Sequence, residues 1–151
     1  MQRWIALATV MFVLLGAGGW YFRHDYNMKR PDRIWCPIPV DKLEEGDRKK
    51  LADQLGRQLH DPARLAAIVK DLQLTSKFNV ASEQAAVADL AGRVFVELGT
   101  ADSPLGTKVP SLNIGVNGTR RENALLREIS ARQMDDVWPL LGMKAPPKKA
   151  F

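Results

Sequence analysis

Residues 93–99 read RVFVELG, and residues 109–116 read VPSLNIGV. Both runs alternate. Val94, Val96 and Leu98 take one side of an extended chain and Phe95 and Glu97 the other, and Leu112, Ile114 and Val116 keep the same period in the second run. A period of two marks a half-buried strand, because successive side chains leave a strand on opposite faces. Between the runs, Thr100 to Lys108 holds Asp102, Ser103, Pro104 and Gly106, the residue types of a loop. The pair therefore predicts two antiparallel strands joined by a hairpin connection.

Moving outward toward the N-terminus, the period changes to that of helices. Ser82 is placed to cap a helix reaching about Gly92, with Ala86, Val87 and Leu90 buried and Asp89 toward solvent. Asp61-Pro62 is a clean start, an N-cap carboxylate followed by proline at the first helical position, and Leu65, Ile68, Val69 and Leu72 then share a face, which predicts a helix over 62–73. Leu51, Leu55 and Leu59 make an apolar stripe on a further helix, for which Asp41 is the candidate cap. Before it, Ile34, Cys36, Ile38 and Val40 alternate with Trp35, Pro37 and Pro39. Proline has no N–H to give to a ladder, so this strand belongs at a sheet edge.

Toward the C-terminus, Asn117-Gly118 reads as a turn and Thr119-Arg120-Arg121-Glu122 as a capping box. The helix that follows carries Leu125, Leu126, Ile129, Met134, Val137 and Trp138, and Pro139 ends or kinks it. The order strand, three helices, two strands, helix predicts an α+β fold: one domain over 34–142 with a short antiparallel sheet and about four helices on one face. Met143 to Phe151, with two prolines and three lysines, reads as a mobile tail.

Trp4 to Phe22 runs WIALATVMFVLLGAGGWYF without a charge. At about 1.5 Å per residue a helix of that length reaches across a bilayer's hydrocarbon. Trp4 at one end and Trp20, Tyr21 and Phe22 at the other are the candidate membrane-interface residues. The expectation is a single-pass transmembrane helix over 1–22, followed by a juxtamembrane linker over 23–33. A cleaved signal peptide is the competing reading, with Met1-Gln2-Arg3 as its charged start and Ala17-Gly18-Gly19 as its cleavage site. Taken literally, counting Arg23, Lys29, Arg30 and Arg33 against Arg3 and the α-amine would put the body on the cytoplasmic side by the positive-inside rule, but a three-residue N-terminal tail carries too little charge to decide the side.

The net charge of +5 is spread along the chain, with small groups at Arg120-Arg121 and at Lys144, Lys148 and Lys149. Nucleic-acid binding wants a denser patch with interleaved aromatics, so no nucleic-acid partner is expected. Cys36 is the only cysteine, which excludes an intramolecular disulfide, and His24 and His60 show no ligand spacing, so neither a metal nor a cofactor is expected. Glu44-Glu45 and Asp135-Asp136 are adjacent carboxylates that point about 100° apart on a helix and form no catalytic dyad. Glu97 is a lone acid, and Gly115 and Gly118 are too few for a phosphate loop. Asn117-Gly118-Thr119 matches a glycosylation sequon, but a turn followed by an N-cap explains it fully. The chain reads as a non-enzyme.

The segments Pro62 to Leu74, Ala86 to Gly92, Arg93 to Gly99, Ser111 to Val116 and Asn123 to Ile129 stand in an order that resembles the membrane-proximal domain of bacterial polysaccharide co-polymerases, the Wzz-type chain-length determinants. The resemblance covers about residues 4–137. It implies a non-enzymatic, self-associating organiser of polysaccharide chain length or export, in the inner (cell) membrane with its domain extracytoplasmic. The family's second transmembrane helix has no counterpart, since no other apolar run here is long enough to span a bilayer, and no Walker-type motif is present. The function expected first is therefore a single-pass accessory subunit that stabilises a larger integral-membrane complex of respiratory or photosynthetic type. Its partners would be the membrane-protein subunits and the lipid bilayer, with Trp35, Pro37, Pro39 and Pro104 as candidate partner contacts.

Overall fold

The computed structural model describes residues 20, 21, 23–103 and 106–143. In chain order it contains β1 (Pro31–Pro39), α1 (Glu45–Leu59), α2 (Pro62–Asp71), α3 (Leu74–Lys77), α4 (Glu83–Arg93), β2 (Val94–Asp102), β3 (Lys108–Thr119), a 3-10 turn (Arg120–Glu122) and α5 (Asn123–Leu140). Residues 23–28 are also helical. The strands form one antiparallel sheet in the order β1-β3-β2, so the last strand in sequence is the central one.

Register fixes the two faces. Ile34, Val116 and Val94 lie in one row across the sheet, Cys36, Ile114 and Val96 in the next, and Ile38, Leu112 and Leu98 in the third. These even-numbered residues point to the helices. There all but Leu98 meet a core made by Leu55 and Leu59 of α1, Leu65, Ile68 and Val69 of α2, Leu90 of α4, and Leu126, Ile129 and Val137 of α5, these helix residues all buried. Helix α5 lies over β1 and β3, and α1 lies over β2. Burying this many aliphatic side chains, at about 1.5–3 kcal/mol each, is what holds the layers together. One buried group goes against the pattern: neither side-chain polar atom of Gln133 in α5 has a partner among the described residues.

Local signals set several boundaries. Asp61 Oδ1 accepts from the Ala63 amide at 3.2 Å, and Ser82 Oγ accepts from the Ala85 amide at 3.2 Å, so α2 and α4 start where a capping residue allows. The capping box closes after β3: Glu122 Oε2 accepts from the Thr119 amide at 3.0 Å and from its hydroxyl at 2.8 Å. Glu122 also receives Arg93 Nη1 at 2.9 Å, which ties the end of α4 to the end of β3. Burial pulls the Glu122 carboxyl upward, but the Thr119 hydrogen bonds and the bond and charge of Arg93 outweigh it and hold the group below its ordinary value.

Four readings of the sequence are corrected. No helix among the described residues is long and apolar enough to cross a membrane, which overturns the expected transmembrane, single-pass character. A span needs about 20 apolar residues in succession. The 18-residue α5, by contrast, carries Arg127, Glu128, Arg132, Asp135 and Asp136, and the helical residues 23–28 begin with Arg23, His24 and Asp25. Of the stretch read as an anchor, only Trp20 and Tyr21 are described; Trp4 and Phe22 lie outside the described residues. The helix count is also larger than four, because Gln73, in the left-handed region at φ 52°, breaks α3 away from α2. Asp41 is not the cap of α1: the N-cap is Glu44, three residues later, and the helix starts at Glu45. Finally, Asn117-Gly118 is not a turn. Strand β1 begins at Pro31, so Arg33 pairs with Asn117 and Asp32 with Gly118, and β3 stays extended to Thr119. Gly118 serves proximity instead, since a Cβ there would sit 2.8 Å from Leu126 Cδ2.

Candidate functional site

The odd-numbered residues of the strands form the other face of the sheet. Trp35, Gly115 and Phe95 make one row across it; Pro37, Asn113 and Glu97 make the next; Pro39, Ser111 and Gly99 make the third. The helices pack on the opposite face, so this one is open, and Trp35 keeps 50% of its surface.

Gly115 shapes the face. A Cβ there would fall 2.7 Å from both Cα and Cβ of Trp35, so only glycine lets β1 and β3 close up at this row. The bare backbone also leaves room for the Arg33 side chain to cross the sheet. Its guanidinium carbon lies 4.2 Å from the centroid of the Phe95 ring, Nη2 meets Glu97 Oε1 at 2.8 Å, and Nε donates to Asn117 Oδ1 at 2.7 Å. Arg33 therefore fixes an edge strand to the far edge strand over the top of the central one. The ion pair is largely solvated and contributes at most about 1 kcal/mol; what it does firmly is orient Phe95 and Glu97. Asn113 of the second row leans over Gly99 of the third, and Ser111 Oγ donates to Asn113 Oδ1 at 2.9 Å, which seals Ser111 beneath it.

Three of the four partner-contact residues read from the sequence, Trp35, Pro37 and Pro39, come together as an exposed strip along β1 on this face. Pro104 lies outside the described residues. Arg33, Phe95, Glu97 and Asn117 join the strip, and their shared odd parity was the signal that could have placed Phe95 beside Trp35. Trp20 and Tyr21, read as membrane-interface residues, are exposed, and Trp20 stacks on His24 with ring centroids 5.5 Å apart.

The remaining chemical candidates are dispersed. Cys36 faces the helices, where burial pushes its thiol up and keeps it protonated at neutral pH. Glu97 is engaged by Arg33, Asp136 by Arg132 and Glu45 by Lys49. Among the described residues no group of three His, Cys, Asp or Glu side chains is placed to hold a metal ion. What the open face offers is a contact surface: aromatic and proline faces for apolar burial, ringed by an arginine, a glutamate and two asparagines for hydrogen bonds.

Comparison of the chain with protein-family models, with curated proteins and with solved structures finds no match. The resemblance to polysaccharide co-polymerases thus rests on element order and a few loose residue patterns.

Proposed function

We propose that this chain is a non-enzymatic accessory subunit, docked on an unlike protein of a larger assembly through the open face of its sheet. The observation that carries this reading is the strip Trp35, Pro37 and Pro39, exposed on one strand and continued by Phe95 under the fixed Arg33 guanidinium. Proline and tryptophan lose little side-chain freedom on docking, and Arg33 is already held, so the face is pre-organised. Aromatic residues and arginine are also the types that dominate binding energy at the centres of interfaces.

The test is site-specific photo-crosslinking in the cells that make the protein. A benzophenone residue replacing Trp35 should join the chain to one defined unlike protein, and the same probe at the exposed Lys70 of α2 should not. Crosslinks from Trp35 to nothing, or the same products from both positions, would overturn the reading.

A further inference from the structure

The two free edges of the sheet differ in kind, and parity shows how. Val40 donates to Pro110 O at 2.9 Å and Arg120 to Arg30 O at 3.1 Å, so even-numbered residues carry the bonds between β1 and β3. The odd residues of β3 are then left to bond β2, which agrees with Ser103 donating to Thr107 O at 2.8 Å. It follows that Val96, Leu98, Thr100 and Asp102 point their N–H and C=O groups away from the sheet, with no strand beside them among the described residues. No proline or lysine interrupts this edge, and Leu98 is 42% exposed. A long, regular edge of this kind is a template for another strand.

We infer that the free edge of β2 pairs antiparallel with β2 of a second copy, about a two-fold axis at Leu98, joining two three-stranded sheets into one of six strands. The register is self-complementary. Leu98 meets Leu98 of the other copy, Val96 meets Thr100, and Val94 meets Asp102; Glu97 falls opposite Gly99, so no like charges face each other across the seam.

Helix α1 agrees with this arrangement. Neighbouring strands are about 4.8 Å apart, whereas packed helices keep about 8–10 Å. A helix lies over each β2, so the two copies of α1 are brought close, and the residue at their crossing point must be small. The groove between α1 and Val96 is lined on the helix by Ala52, Asp53, Gly56, Arg57 and His60. A Cβ on Gly56 would meet nothing within 4 Å among the described residues, so no close approach there calls for glycine. A mid-helix glycine is unfavourable by itself, and close approach of a second backbone accounts for it. An antiparallel α1 pair also sets Asp53 of one copy against Arg57 of the other. An unlike strand would gain the same ladder, but it would leave both Gly56 and this charge match without a role.

The experiment is cysteine crosslinking and sedimentation of the full chain, in a mild detergent that keeps the apolar stretch Trp4 to Phe22 from driving association. Cys36 is replaced by serine, and Leu98→Cys is introduced. Residues facing each other in a hydrogen-bonded antiparallel pair have Cα atoms about 5.5 Å apart, within disulfide reach. Leu98→Cys should oxidise to a covalent dimer, and Trp35→Cys should not. In the otherwise unaltered chain, Leu98→Lys and Gly56→Leu should each weaken a sedimenting dimer at least tenfold, and Gly56→Leu should do so without lowering the thermal midpoint. A monomeric wild-type chain at tens of micromolar, a dimer indifferent to both substitutions, or equal crosslinking at 35 and 98 would overturn the proposal. Because Trp35 lies on the open face and Leu98 at the edge, failure here leaves the docking reading of the face standing.

Discussion

Strand β1 and strand β2 are both nine residues long, and among the described residues both pair only with β3, yet one edge is closed and the other open. The outward backbone of β1 belongs to Pro31, Arg33, Trp35, Pro37 and Pro39. Three of these have no N–H, and the Arg33 amide is taken by Asp32 Oδ1 at 3.0 Å, which leaves Trp35 as the one outward donor of β1 without a partner among the described residues. The outward backbone of β2 has no such protection. Prolines of one parity cost β1 nothing in its ladder and deny that edge to any incoming strand. The same sheet thus uses β1 for side-chain contacts and leaves β2 for backbone contacts.

The strongest way to break this contrast is to remove β1. In Gly115→Ala the new methyl would fall on Ile34 O and on Trp35, so β1 must move away from β3. We expect a loss of at least about 3 kcal/mol in urea denaturation, with β1 amides losing hydrogen-exchange protection first. Next in size is a change of kind rather than of stability. Opening the β1 edge with Pro37→Val, Pro39→Thr and Asp32→Ser should leave the fold intact but make the protein self-associate through both edges, read as higher oligomers or turbidity that wild type does not show.

Loosening the ends of the strands sharpens the comparison. Glu122→Gln removes the carboxylate that holds Thr119 and Arg93, and it should cost about 1–2 kcal/mol at pH 7. Because the folded protein holds this carboxyl below its ordinary value of about 4.3, its contribution is fully present above that pH and is lost as pH falls through the lower folded value. The gap between wild type and Glu122→Gln should therefore close below about pH 4. Smaller still, and of opposite sign, Gly56→Ala should stabilise the isolated chain by about 0.5–1 kcal/mol in thermal melts at dilute concentration. Last, Trp35→Ala should change stability by under about 0.5 kcal/mol, since the side chain is half exposed, while abolishing co-purification of the unlike partner.

Legibility in the sequence followed the range of the interaction. Asp61, Pro62 and Ser82 act on amides two or three residues away, and their helices stand where those residues put them. The alternation of Trp35, Pro37 and Pro39 with Ile34, Cys36 and Ile38 gave both the strand and its place at an edge. Asn117-Gly118 misled because a turn dipeptide is a local preference, and pairing with Asp32 and Arg33, more than 80 residues away, overrode it. The central place of β3, the left-handed Gln73 and the bridge from Arg33 to Glu97 have no local signature; they exist only once the register is set. The membrane expectation drew on a run of apolar residues, and no described helix repeats such a run, because each buries one stripe and wets the other.

The position of β3 also orders events in time. Neither edge strand has anything to bond until Lys108–Thr119 has been made, and 80 residues of synthesis separate Pro39 from Thr119. At about 5–20 residues per second a nascent chain holds β1 unpaired for roughly 4–16 s. Throughout that interval β1 leaves the ribosome as a proline-studded strand with few free donors, a poor template for neighbouring nascent chains. The more permissive β2 emerges only 17 residues before the end of β3, so its exposure to the crowded polysome is brief. The protection on each strand scales with how long that strand has to wait.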